Sequence, residues 1–386
     1  MFLALAMKHT SMYLDWYVHI PKVKYDFKSS GVIYFKHDLR LRSFDFSVNY
    51  EYGNPETTLQ LANWYGVKPG NVFVSSEGAS GQNARIIRCL AERGPKKNEA
   101  IVEYPTYEPL LRQVQEHFCR VKRLVRRQEN AYRLEADQLW NLVSDKTGLL
   151  VLTNPHAPSG ATSNAKELRE VMTVARECGF YVLCDEIYAE FDREKVPTLF
   201  SVDPELGIVT SSFTKAYGLG GLKLGIALAD KKIVNELYVD VINTVGNSPN
   251  VVQLIGAELL SKHKDKLEEH KQKWNSLKKQ TEAWLTENGL EFFPSKAGVT
   301  YWVKTRIKDT YKWTNEEAIP HYSLAAVPGA FFLFKNGYTI KRTNMIRIGL
   351  GNINPNTQTL AEALDTLKIA LKAISKPNIR QGSPPQ

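Results

Sequence analysis

The stretch Ser211-Ser212-Phe213-Thr214-Lys215-Ala216-Tyr217-Gly218-Leu219-Gly220-Gly221-Leu222-Lys223-Leu224-Gly225 decides how this chain is read. A short apolar run, Gly207-Ile208-Val209-Thr210, leads into it, and another, Leu224 to Ala229, leads out. Runs of this length suit buried strands, and the glycines between them suit a turn-rich loop. The loop carries small hydroxyl residues, Lys215, and a second cation, Lys223, eight positions on. Hydroxyls with a cation can bind phosphate, and a partly desolvated lysine can form a Schiff base with a carbonyl. Alone, such a lysine is usually an ordinary surface residue. The rest of the chain has to supply the context.

Outward from the loop, from Val72 onward, the pattern is strand, Gly-rich turn, helix, repeated. Strand runs are expected at Val72–Ser75, Ala100–Glu103, Arg120–Val125, Leu149–Leu152, Tyr181–Cys184, Ile208–Ser211 and Leu224–Ala229, with helices such as Gln82–Arg93 and Ala165–Cys178 between them. This alternation predicts an α/β fold with a mostly parallel sheet covered by helices on both faces. Ligands of such sheets sit at the carboxyl ends of the strands. Upstream, Lys8 to Arg42 reads as irregular, with Trp16, Tyr17 and Tyr25 anchoring an arm and Gly31 allowing close backbone approach to a ligand. Tyr50 to Glu56 reads as a turn, followed by a helix over 57–65. Beyond Pro249 a long amphipathic helical region runs with breaks to Asn288. Strands at Leu290–Phe293, Thr300–Val303 and Met345–Gly349 and a last helix around Thr359–Ile374 then make a smaller α/β domain. The expected division is an N-terminal arm that joins the small domain (1–46), a large domain (47–285), a small domain (286–375) and a disordered tail (376–386).

Most chemistry-bearing motifs fall at strand ends. Ser75-Ser76-Glu77-Gly78-Ala79-Ser80-Gly81-Gln82 opens a helix, where small residues and the helix N-terminus favour an anion; a plain tight turn is the alternative. Tyr104-Pro105-Thr106-Tyr107 offers an aromatic face, or a core tyrosine. Thr153-Asn154-Pro155-His156-Ala157-Pro158-Ser159-Gly160 and Asp185-Glu186-Ile187-Tyr188 follow two further strands. Near the C-terminus, Arg347 in Asn344-Met345-Ile346-Arg347-Ile348-Gly349 could fork onto a carboxylate.

Taken together, these segments resemble the fold-type I pyridoxal-phosphate enzymes, the aminotransferase class I/II group, in family order from about Tyr50 to Gly349. The resemblance implies the fold-type I transferase fold, with a mostly parallel seven-stranded sheet sandwiched by helices and a smaller α/β domain. It implies pyridoxal 5′-phosphate bound to Lys215 as an aldimine, with Asp185 on the pyridine nitrogen, Tyr188 donating to the 3′-oxygen, Asn154 a further cofactor ligand, and Tyr107 stacked on the ring. Gly78, Ala79, Ser80, Ser212, Thr214 and Lys223 would hold the phosphate, with Tyr52 reaching the phosphate of a partner subunit in a homodimer. Arg347 and Gly31 would receive the substrate, and Glu186 would have a structural role. The implied reaction moves an amino group between an L-amino acid and a 2-oxo acid by a ping-pong route. A lyase or decarboxylase on the same scaffold, or a degenerate relative, are the other readings. The chain departs from the family pattern at Ala157 and Thr57, where the family carries Asn and Gly, and at Lys223, where it carries Arg.

Composition agrees with an enzyme of this kind. At 386 residues the chain exceeds a usual single domain, and 43% hydrophobic with 24% charged residues is ordinary for a soluble protein. No apolar run approaches the ~20 residues that cross a bilayer, so no membrane span is expected. The apolar opening Met1 to Met7 is read as a start-site extension or arm, since Met7 and Met12 could also begin the chain. The net charge of +9 raises nucleic acid as a partner, but the basic residues are scattered, and those from Lys262 to Lys279 are interleaved with acids as on a solvated helix face. Cys89, Cys119, Cys178 and Cys184 form no metal or redox pair and read as buried thiols of a cytoplasmic protein. No metal-spaced histidine cluster is present in the sequence.

Overall fold

The computed structural model describes residues 11–33, 45, 47–262, 264–335, 337–354 and 359–373. The expected tail at 376–386 and much of the 1–46 arm lie outside these residues. Within the arm the structure corrects the expectation of irregular chain: Met12–His19 is a helix (α1), and Tyr25–Phe27 is a strand (β1). The helix is short, and its N-terminus is held by a residue far along the chain. Ser11 accepts from Leu14 N, while Glu108 takes the backbone N–H groups of Met12 and Tyr13 at 2.9 and 2.6 Å. Such a cap satisfies the orphan donors of a first turn but leaves no local sequence signature.

The helix Pro55–Tyr65 (α2) follows, starting on Asn54 and stopping at Gly66. Every strand read from Val72 onward then forms with small changes of boundary: β2 (Val72–Ser75), β3 (Glu99–Tyr104), β4 (Arg120–Val125), β5 (Thr147–Thr153), β6 (Tyr181–Asp185), β7 (Gly207–Ser212) and β8 (Gly225–Leu228). Among the described residues they build one seven-stranded sheet in the order β2-β8-β7-β6-β5-β3-β4. β3 to β7 and β4 run parallel to their neighbours, and only the pairings of β8 are antiparallel. Leu149 to Leu152, Val182, Leu183, Ile208 and Val209 are buried, as the continuous apolar runs of a sheet covered on both faces require.

Helices α3 (Gly78–Ala91), α4 (Glu108–His117), α5 (Ala136–Leu142), α6 (Ala165–Cys178), α7 (Lys231–Val245), α8 (Asn250–Lys262) and α9 (Lys264–Glu287) surround this sheet and lead out of it. α3 starts at Gly78, four residues before the expected position, because its first turn is made of small residues that carry no apolar period. Asn164 caps α6 through its contacts with the N–H groups of Lys166 and Glu167, and Gly179 ends it at φ 67°. The basic face of α9 is laced by pairs such as Lys273–Glu269.

A second sheet runs β1-β11-β12-β10-β9, where β9 is Glu291–Phe292, β10 Thr300–Lys304, β11 Leu324–Pro328 and β12 Met345–Gly349. β1 joins β11 in parallel, so the N-terminal segment completes this smaller sheet. α10 (Thr359–Lys372) closes the described chain. α1 lies between the two sheets' territories: Tyr13 and Trp16 pack on Phe331, and Trp16 Nε1 donates to Asn315 at 2.9 Å. Of the cysteines, Cys184 is buried, Cys89 and Cys178 are half-buried, and Cys119 is exposed, a correction explained by its place in the turn before β4.

Candidate active site

A cavity of about 280 Å³ opens where β5, β6 and β7 end. Thr153 closes β5, Asp185 closes β6, and Lys215 stands three residues past β7. The start of α3 contributes Ala79 and Ser80, the turn after β3 contributes Tyr107, and Ile187, Tyr188, Ala157 and Lys223 complete the floor and sides. The strand-end placement expected from the alternating pattern is what brings residues over a hundred positions apart together.

Lys215 Nζ lies 3.1 Å from Ser30 Oγ. Burial, reinforced by the charges of Arg347 and Lys223, brings its ammonium down to about 8. The free amine is therefore far more populated near neutral pH than in an ordinary lysine, as suits a carbonyl-binding lysine. Gly31 lies against it: a Cβ there would sit 2.8 Å from Lys215 Cδ, so the close approach of this backbone is to the lysine side chain.

Asp185 Oδ2 accepts from Asn83 Nδ2 at 2.8 Å, and Oδ1 accepts from Ile187 N at 3.0 Å. Asn83 is itself fixed by Thr210, whose hydroxyl donates to its carbonyl at 2.6 Å. Burial raises the Asp185 carboxyl above its ordinary range, opposed by these neutral donors and by Lys215. The tyrosine hydroxyl of Tyr188 is pushed up to about 12 by burial, so it stays a donor. Arg347, like Gly31, is not among the lining residues; it is buried behind Tyr13, one Nη donates to the Lys28 carbonyl, and Nε has no hydrogen-bond partner among the described residues. Its guanidinium lies beside the adjoining rings of Tyr13 and Phe332, 5.7 and 5.6 Å from their centres.

A family model described as aminotransferase class I and II matches residues 44–367. The chain belongs to the aminotransferase class I and II family. An aspartate aminotransferase of Pyrococcus horikoshii is 26% identical over 214 residues, 54% of each chain. An aromatic-amino-acid aminotransferase of Thermococcus litoralis is 27% identical over 281 residues, 70% of this chain and 64% of that one. The matched segment thus spans about half the length of the first relative. A solved PLP-dependent aminotransferase from Streptococcus suis shares the fold at a TM-score of 0.82 and 20% identity, covering 96% of this chain and 100% of that one.

Pyridoxal 5′-phosphate is the cofactor that membership of this aminotransferase family brings, and the residues present fit it. A buried carboxylate held only by the neutral donors just named suits a protonated ring nitrogen. Ala79 and Ser80 in the first turn of α3, with Lys223 beside them, suit a phosphate. Tyr107 and Ile187 line the space between these two ends.

Five expected cofactor ligands are placed otherwise. Gly78 takes φ 65° to start α3, and its N–H donates to Lys223 O at 2.7 Å rather than into the cavity. The Ser212 hydroxyl donates to Leu224 O at 2.7 Å. Thr214, next to Lys215, is not among the lining residues. Asn154 is buried away from the cavity, with Oδ1 accepting from Ser163 N at 2.9 Å and Nδ2 donating to Pro197 O at 3.2 Å. Tyr52 is exposed on its turn, outside this cavity, with its ring edge-on to Tyr238. Glu186 is wholly buried, accepting from Leu199 N at 2.8 Å and paired with Arg193 at 2.5 Å.

Sequence reading missed Tyr13, Leu14, Tyr17, Ser30 and Thr153, which line the cavity, and Asn83, which holds Asp185. Ser30 was legible in principle, as the neighbour of Gly31. The α1 residues were not, because no motif marks them. A larger open groove beside α3 and α7, lined by Cys89, Asp230 and Asp240, lies apart from this cavity and holds none of the family residues. No helix of the described residues is long and apolar enough to cross a membrane, and no group of three metal-ligating side chains occurs among them.

Proposed function

We propose that this chain is a pyridoxal-phosphate-dependent aminotransferase that moves an amino group between an L-amino acid and a 2-oxo acid by a ping-pong route. The observation that carries this reading is the convergence in one cavity of a buried lysine and a buried aspartate whose hydrogen bonds come from neutral donors. The bound cofactor supplies an electrophilic carbonyl and an electron sink. Lys215 Nζ would hold its carbonyl carbon and would be the group that accepts and returns the proton at the substrate Cα. Asp185, oriented by Asn83, keeps the ring nitrogen protonated. Tyr188 donates to the ring oxygen, and Tyr107 and Ile187 confine the ring. The first turn of α3 and Lys223 hold the phosphate. Arg347, whose Nε is left without a partner, grips the α-carboxylate together with the Gly31 segment.

On this reading residues 47–285 form the cofactor-binding domain and 286–375, with the N-terminal strand, the smaller one. The exposed Tyr52 serves the phosphate of a second subunit in a cytoplasmic homodimer. Borohydride reduction of the loaded protein followed by peptide mapping tests the proposal. A pyridoxyl group on Lys215 is expected, and a label on any other lysine rejects it.

A further inference from the structure

The wall of the cavity away from the sheet is helix α1. Tyr13, Leu14 and Tyr17 face the cavity from it, opposite Tyr107, Leu110 and Ile187. α1 is set in place by the buried carboxylate of Glu108 at the start of α4. Glu108 accepts from Ser11 Oγ at 3.0 Å, Met12 N at 2.9 Å and Tyr13 N at 2.6 Å, and is balanced by Arg112 Nε at 2.6 Å. A buried glutamate with four donors fixes the N-terminus of a helix firmly, and so fixes where Tyr13, Leu14 and Tyr17 stand.

The chemistry of this wall is apolar and aromatic. Tyr13 meets Tyr107 edge to face at 5.6 Å and Tyr17 at 5.9 Å. Leu14 remains 40% exposed although it lines the cavity, an apolar surface that a substrate side chain would cover. The cations of the site already have roles: Lys215 for the carbonyl, Lys223 for the phosphate, Arg347 for the α-carboxylate. Lys28 is the next along the wall, with Nζ over the Tyr17 ring at 5.2 Å, but Asp26 neutralises it at 3.0 Å. A second carboxylate entering here would be desolvated beside rings with no cation free among the described residues.

We propose that Tyr13, Leu14 and Tyr17 form the side-chain subsite, that the amino donor carries an aromatic or large aliphatic side chain, and that Glu108 is the positioning residue of this subsite. The proposal rests on the aminotransferase reading above. Half-reactions of the loaded protein with L-phenylalanine, L-leucine, L-alanine and L-aspartate, followed by the cofactor absorbance, give the ratio of maximal rate to apparent Kd. Phenylalanine and leucine should exceed aspartate by about a hundredfold, because a carboxylate without a cation is costly to desolvate. Calorimetric titration with 3-phenylpropanoate and with succinate reads the same wall without turnover, and the former should bind more tightly. Tyr17→Ala and Leu14→Ala should each lower the phenylalanine ratio about tenfold relative to L-alanine, with cofactor content unchanged. Glu108→Gln should raise the apparent Kd for phenylalanine with a smaller change in maximal rate. A preference for aspartate and succinate, lost in Lys28→Ala, overturns the proposal and makes Lys28 the second anion site. If Lys215 is labelled but no amino acid reacts, transamination is rejected, and the two titrations still decide the subsite.

Discussion

Two carboxylates are buried at the carboxyl ends of the same sheet, and they are held in opposite ways. Glu103, near the end of β3, is fully buried and faces a cation: Arg126 Nη1 lies 2.9 Å away, and Thr153 Oγ1 donates to its other oxygen. Arg126 is in turn anchored by the Tyr132 carbonyl at 2.6 Å and Ser163 Oγ at 3.1 Å. Asp185, at the end of β6, is held by Asn83 and a backbone N–H alone. Burial raises both carboxyls, Glu103 to about 7. The difference teaches which of the two is architecture. A buried acid that brings its own cation is complete within the fold, whereas one oriented by neutral donors toward a cavity is completed by a ligand.

The largest expected effects come from exchanging these roles. Asp185→Asn keeps the shape and should slow the amino-acid half-reaction by about a hundred- to a thousandfold, the scale of losing one preorganised electrostatic group. Its denaturant midpoint should stay close to that of the parent. Glu103→Ala should do the reverse, because Arg126 is left as an uncompensated buried charge, at about 3–5 kcal/mol. Stopped-flow absorbance and urea unfolding of both variants check this. A stable Glu103→Ala protein with a dead half-reaction, or an Asp185→Asn protein that unfolds easily, would reverse the assignment.

Lys215 offers a sharper, intermediate test through pH. Its ammonium is disfavoured by burial, Arg347 and Lys223, so the nucleophilic free amine grows in as pH rises through about 8. An ordinary lysine does so only near ~10.4. The rate at which the apoprotein captures pyridoxal phosphate should therefore rise up to about pH 8 and level off above it. Arg347→Met removes one of the neighbouring charges and should move this midpoint upward. A midpoint near that of free lysine in the parent protein would contradict the buried setting of the amine.

The sheet was legible because parallel strands buried on both faces read as unbroken apolar runs, and because the motifs sit at their ends. What escaped was fixed at long range. Asn83 holds Asp185 across 102 positions, and Glu108 anchors α1 from 95 positions beyond Tyr13. β11 escaped as well, because its five residues include two alanines and a terminal proline, both poor strand formers. Residue type misled where a local carbonyl was the stronger claimant. Ser212 and Gly78 have the chemistry to bind phosphate, but their donors go to Leu224 and Lys223. Asn154, likewise, is occupied by the loop that it stabilises.

That last placement turns the departure at position 157 into the finest of these tests. Ala157 lines the cavity and offers no side-chain donor to a ring oxygen there. Its N–H donates to Thr153 Oγ1 at 2.8 Å, and that hydroxyl already donates to Glu103, so neither group is free to substitute. Asn154 is bonded to Ser163 and Pro197, which removes the other candidate. On the proposed reading Tyr188 is then the donor, its hydroxyl kept protonated by burial up to about 12. Ala157→Asn should then add one ordinary hydrogen bond, about 0.5–1.5 kcal/mol. The corresponding gain in affinity for pyridoxal phosphate is about two- to tenfold, read by equilibrium dialysis with Asp185→Asn as the reference for a site altered at the ring nitrogen. The same change in the Tyr188→Phe background should be larger, because the added donor then stands alone. Unchanged affinity in both backgrounds would mean that the ring oxygen does not face position 157, and would return the choice of its partners to Tyr188 and Lys215.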